Sequence, residues 1–171
     1  MKRKLVRLLN QYPVHLIHPI PQVKWIVRQT AGGEPVSRRK SPKHGQVADV
    51  FYELVRIPHL IPHPNLTIEV VLTQEEEVLR DDGLGSWRRR RWSVFDHRLL
   101  AVVDQVILAT PADFCALLPL NLTRPFTNQE LAMALNSRTT LAQKMTYTLR
   151  QIGTLHVTGK RGNAFLHEIV I

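Results

Sequence analysis

Residues 125–170 read PFTNQELAMALNSRTTLAQKMTYTLRQIGTLHVTGKRGNAFLHEIV. Thr127-Asn128-Gln129-Glu130 has the spacing of a capping box, in which the first and fourth side chains satisfy each other's backbone N–H groups. It predicts a helix running to about Leu135. Asn136-Ser137 makes a turn, and Thr139 to Ile152 is a longer amphipathic helix that Gly153 ends in a left-handed conformation. On a wheel of about 100° per residue, Leu141, Met145, Leu149 and Ile152 fall within about 80° of one another and mark the core side. The outward side then carries Thr139, Thr140, Gln143, Tyr147 and Arg150, with Lys144 and Thr146 at its flanks. Two strands, 154–158 and 164–170, follow around Gly159-Lys160-Arg161-Gly162-Asn163. Upstream, Pro111 to Leu118 reads as a short apolar helix opened by a proline.

Over residues 111–171 this order of helix, helix, turn, helix and basic hairpin resembles the winged helix-turn-helix domains of many bacterial regulators. The resemblance implies that the second helix of the pair enters the major groove of duplex DNA. It assigns Thr139, Thr140, Gln143, Lys144, Tyr147 and Arg150 to base edges and phosphates, and Lys160 and Arg161 to phosphate or minor-groove contact. The reading helix departs from strong DNA binders in carrying few positive charges. Outward Thr, Gln and Tyr also suit a solvated face, and such a domain can serve protein contact alone. A second alternative, ranking after a nuclease, is a protein-interaction module of a larger assembly.

The N-terminus invites comparison with that segment. Lys2 to Asn10 is helical, with Leu5, Leu8 and Leu9 on one face and Pro13 as its stop. Val14 to Ile17 and Val23 to Arg28 read as two strands around His18-Pro19-Ile20-Pro21-Gln22. Helix, break, strand, five-residue loop and strand repeat the order of the C-terminal reading helix and hairpin. Residues 1–30 are thus read as a partial second winged helix, its first two helices lying upstream of Met1 or replaced by cover from elsewhere in the chain.

Residues 31–46 hold SRRKSPKHG without apolar periodicity and read as a basic loop or linker. Residues 47–110 read as a mixed α/β region. It comprises a short helix at Val47 to Ile57, a strand at Leu66 to Thr73, a strand at Arg88 to Trp92 pairing back on it, and a helix from Ser93 to about Thr110. Ser93 and Asp96 form that last helix's capping pair, and Leu99, Leu100, Val103, Val106 and Ile107 form its stripe. The fold class is α+β, with a C-terminal winged helix appended to the mixed region.

The chain has 171 residues, 44% of them apolar, and a formal charge of +9. Residues 1–45 hold ten Lys/Arg against one acid, residues 46–110 seven against ten, and residues 111–171 six against three. A basic first quarter and a mildly basic end fit a polyanion touched at two places. Arg38, Arg39 and Lys40, together with Arg88, Arg89, Arg90 and Arg91 between Trp87 and Trp92, form a secondary basic patch. No apolar run approaches the roughly 20 residues that span a bilayer, and the N-terminus lacks the apolar stretch of a signal peptide. The expected location is the bacterial cytoplasm, with no membrane partner. Cys115, in an apolar context, reads as a buried small hydrophobe.

Catalysis enters only as an alternative. Glu53 on a helix and Glu69 on a strand, near Glu75, Glu76, Glu77, Asp81 and Asp82, are reminiscent of restriction-type nucleases that hold Mg²⁺ to activate water. Val71 stands where those enzymes usually carry a lysine. His15 with His18 and His59 with His63 lack metal-ligand geometry, and no cysteine pair accompanies them. The sequence reading is a non-catalytic protein that binds double-stranded DNA, a transcriptional regulator in kind, with no cofactor and with homodimerisation open.

Overall fold

A computed structural model describes residues 2–84 and 92–170. The fold is mixed α+β. In order, the elements are α1 (Lys2–Leu9), β1 (Val14–Gln29), β2 (Pro35–Lys40), a 3-10 turn Val47–Val50 leading into α2 (Phe51–Leu54), a second 3-10 turn Pro58–Leu60, β3 (Leu66–Arg80), β4 (Ser93–Leu108), α3 (Pro111–Cys115), α4 (Asn128–Ala134), α5 (Thr139–Gln151), β5 (Leu155–Arg161) and β6 (Ala164–Ile169). One sheet has four strands in the order β2-β1-β3-β4, and β5 and β6 form a separate two-stranded sheet. No helix among the described residues is long and apolar enough to cross a membrane.

The chain forms two compact units, interleaved along the sequence rather than consecutive. The first comprises Met1–His18, Val47–Val70 and Val106–Ile171, and the second Pro19–Gln46 and Val71–Gln105. Most of the buried apolar side chains belong to the first unit, among them Leu9, Phe51, Leu54, Ile61, Ile68, Phe114, Phe126, Leu131, Leu141, Met145 and Leu149. Within it α5 packs against α2, α3, α4 and β5, so its buried side is the hub of that core. The second unit buries Ile20, Val27, Leu72, Val78 and Leu79.

The helices expected within residues 110–153 form where their local signals lie, whereas the helix expected at Val47 to Ile57 is a 3-10 turn followed by the short α2. Thr127 caps α4 through a complete capping box with Glu130, and Thr110 caps α3 the same way with Asp113, behind a proline in the first turn. Gly153 follows α5 with φ +81°, a left-handed geometry that costs a side-chain-bearing residue about 1–2 kcal/mol.

The strands depart from the sequence reading in several places, and β3 runs on to Arg80 rather than ending at Thr73. Residues 14–29 are one continuous strand, not a hairpin, so the N-terminal segment does not repeat the C-terminal order. Pro19 and Pro21 are tolerated because β2 pairs with Trp25–Gln29 only, and their missing N–H groups break no β1–β2 bond. Residues 35–40, expected as part of a loop, form strand β2; every side chain in it is exposed, so no apolar alternation betrays it. Residues 93–108, expected as a helix, form β4. Its β-branched content suits a strand, and the residues expected to cap a helix bond elsewhere. Ser93 Oγ donates to Asp82 at 2.6 Å, and Arg98 Nε donates to Asp96 at 3.1 Å. The C-terminal hairpin is also tighter than expected, closing through Gly162-Asn163 with Arg161 paired to Ala164. The expected strand at Arg88 to Trp92 lies, except for Trp92, outside the described residues.

Candidate nucleic-acid interface

The α5 helix has a sharply divided surface. Leu141, Ala142, Met145, Thr146, Thr148 and Leu149 are buried, while Thr139, Thr140, Gln143, Tyr147, Arg150 and Gln151 are exposed and Lys144 is half-buried. At about 100° per residue the exposed set occupies an arc of about 120°. Tyr147, a large apolar-bodied side chain, is 46% exposed on this face. α5 contains no acidic residue, so nothing on this face repels a phosphate. No side chain caps its N-terminus, where the capping position is Arg138. The first-turn N–H groups there, and the positive end of the helix, favour an anion.

Thr146, read from the sequence as a flank of the outward face, is turned inward. Its hydroxyl donates to Asn128 Oδ1 at 2.7 Å and also meets the Gln143 carbonyl at 3.2 Å. This bond ties α5 to the first residue of α4 and sets the angle at which the outward face is presented. Lys144 lies at the border of that face with its ammonium 5.8 Å from the centre of the Tyr52 ring. Neither Tyr52 nor Arg138 is among the residues that the sequence reading singles out. Arg138 could have been found as the exposed cation before the helix, whereas Tyr52 had no local signal.

In the hairpin, Lys160 and Arg161 stand at the end of β5, both exposed. They differ in state. Arg161 Nη1 donates to Glu130 Oε1 at 2.6 Å, so its charge is already matched by the capping carboxylate of α4. Backbone and hydroxyl hydrogen bonds from Thr127, then Arg161, hold the Glu130 carboxyl below the ordinary glutamate range. Among the described residues Lys160 meets no carboxylate; its ammonium lies 5.0 Å from the Phe165 ring centre. The hairpin is fixed to the helices by paired backbone bonds between Phe126 and His167, 3.0 Å and 2.7 Å. His167 is buried against Phe126 with both ring nitrogens unbonded, and burial followed by the nearby charge of Arg150 pushes its pKa down.

The secondary basic patch belongs to the second unit. The Arg38 guanidinium stacks over Trp25 at 4.7 Å and pairs with Glu76 at 2.7 Å; Lys40 lies 5.8 Å from the same ring. Arg39 is opposite Ile26 on the exposed edge strand. Arg88, Arg89, Arg90 and Arg91 lie outside the described residues. The acidic run opposite has its own partners: Lys24 Nζ reaches Glu75 at 3.1 Å and Glu77 at 3.0 Å. Burial opposes the Lys24 charge, but those two carboxylates outweigh it and raise its pKa.

Glu53 and Glu69, the carboxylates of the nuclease alternative, are each engaged separately. Arg56 bonds Glu53 at 3.0 Å, and His15 Nε2 meets Glu69 at 2.8 Å. Among the described residues no three His, Cys, Asp or Glu side chains gather into a group that could hold a metal ion. Cys115 is buried, and burial raises its thiol pKa, which makes it a poor nucleophile.

Comparison with known proteins adds a relative and a family. The chain is 28% identical over 102 residues to a protein of Treponema pallidum (strain Nichols) titled "Uncharacterized protein", an alignment covering 60% of this chain and 41% of that one. The matched part of the chain thus spans about two-fifths of the length of that relative. No solved structure matches it. A family model described as "Domain of unknown function (DUF8091)" matches residues 1–109, which end just before α3. By that match, across more than half its length, the chain belongs to the DUF8091 family.

Proposed function

We propose that this chain is a non-catalytic protein that binds double-stranded DNA, a regulator in kind. Residues 111–170 act as a winged helix: α4 and α5 are the helix-turn-helix, α5 enters the major groove, and the β5–β6 hairpin is the wing. The observation that carries this is the α5 surface, in which an acid-free polar arc of Thr139, Thr140, Gln143, Tyr147 and Arg150 stands opposite a fully buried apolar side. Gln143 offers the amide that pairs with an adenine edge, and the threonine hydroxyls suit either base edges or phosphate. Lys144, Arg150 and Lys160 supply sequence-independent contacts. A cytoplasmic location goes with this reading.

The test is retardation of a mixed-sequence duplex at rising salt, with and without Mg²⁺. Retarded, intact DNA supports the proposal. Mg²⁺-dependent cutting that is lost in Glu69→Ala makes the protein a nuclease instead. No retardation at low salt removes DNA altogether and leaves the α5 face to a protein partner. Once a preferred site is selected, Gln143→Ala should change the ranking of sequences, while Lys160→Ala should weaken all of them alike.

A further inference from the structure

The four-stranded sheet has two edges, and they are treated differently. On the β2 edge, Pro35, Arg38, Arg39 and Lys40 supply the proline and the charges that discourage another strand from adding. The β4 edge has no such guard. Its centre is Leu99-Leu100-Ala101-Val102-Val103, five uncharged residues without a proline. Leu99 is 64% exposed, Leu100 45%, Val102 53% and Val103 41%. Side chains alternate across a strand, so both faces of β4 present apolar surface here. Among the described residues no strand pairs with its outer edge.

We propose that a second copy of this chain adds to that edge, β4 against β4 and antiparallel, with Ala101 on the two-fold axis. The occupant is identified by the near-palindrome of the strand itself. Reflection about Ala101 sets Leu100 opposite the partner's Val102, Leu99 opposite the partner's Val103, and His97 opposite the partner's Gln105. It also sets Arg98 opposite the partner's Asp104, and the two-fold axis repeats that ion pair at the other end. The neighbouring registers place Arg98 against a valine or a glutamine and forfeit both pairs. Arg98 already bonds Asp96 at 3.1 Å on its own strand face; a guanidinium has five N–H donors, so others remain for the second carboxylate. The inference uses only residues of the second compact unit and does not rest on the DNA-binding reading.

Sedimentation velocity on the whole chain from about 1 to 100 µM is expected to show a monomer–dimer equilibrium. Asp104→Arg alone, and Arg98→Asp alone, should each weaken it about tenfold, because like charges then face each other at two places. Mixing the two variants should restore a dimer, since both cross-strand pairs are again opposite in sign; a folding defect would not be rescued in this way. Ala101→Cys should form an intermolecular disulfide under mild oxidation, since directly opposed residues lie within disulfide reach. Leu99→Cys should not, its two copies being about 13 Å apart by strand rise. A chain that stays monomeric throughout, cysteines that cross-link equally at both positions, or variants that fail to complement each other would overturn the proposal.

Discussion

His167 illustrates how one buried side chain links folding to pH. Its ring is almost wholly enclosed, and neither nitrogen has a hydrogen-bond partner. Burial, and then the positive charge of Arg150, lowers its pKa below the ordinary histidine value. The folded chain therefore resists protonation that the unfolded chain accepts. Stability from this residue is full above about pH 6.5 and falls as the pH drops below it, by at most about 1.4 kcal/mol per pH unit until the folded form also titrates. In urea titrations at pH 7.5 and pH 5.5, His167→Leu should lose less stability on acidification than the native chain. At pH 7.5 it should be no less stable, because two unbonded buried nitrogens are removed. An identical acid loss in both proteins would show that His167 does not titrate in this window. Nothing local in Leu166-His167-Glu168 distinguishes this histidine from the exposed His156. The partner, Phe126, is 41 positions away, and only the β6 pairing brings it near.

Among the elements, the helices of residues 110–153 were legible because their signals lie within four residues of each other. Thr127 Oγ1 donates to Glu130 Oε2 at 3.0 Å and accepts from the Glu130 N–H at 3.2 Å, and the Thr127 N–H meets the same carboxylate at 2.7 Å. Thr127→Ala removes the hydroxyl from a buried cap and should cost about 1 kcal/mol, a fall of about 3 °C in melting temperature for a chain of this size. Thr127→Ser should recover most of it; an unchanged melting temperature in Thr127→Ala would mean that the box contributes nothing. β4 reads as a helix for the opposite reason. Leu99, Leu100, Val103, Val106 and Ile107 fit a helical stripe, and Ser93 with Asp96 imitates a cap. Pairing with β3, more than a dozen residues earlier in the chain, overrides that pattern. A strand exposed on both faces has no apolar alternation to announce it. The same absence concealed β2.

For the whole molecule, the relevant quantity is how many of its cations are available to a phosphate backbone. The outward face of α5 could be read from helical periodicity, but the state of each charge could not, because the pairs are long-range. Among the cations of α5, its capping position and the hairpin, Arg161 is matched by Glu130, while Arg138, Lys144, Arg150 and Lys160 have no ion-pair partner among the described residues. If those four each displace one counterion, the logarithm of affinity should fall with the logarithm of salt at a slope of about −3.6. Between 50 and 200 mM salt that is a loss of about 150-fold. Glu130→Gln tests the count from the other side. Glutamine preserves the capping box but releases Arg161, which should raise affinity at low salt and steepen the slope by about 0.9. The Lys160→Ala variant should make it shallower by a similar amount. A slope near zero in the native chain would mean that phosphates are not the partner of this face. A native slope much steeper than −3.6 would mean that cations beyond these four, such as the exposed Arg124 or Arg39 on the β2 edge, also touch the duplex, and Arg124→Ala or Arg39→Ala would then reduce it.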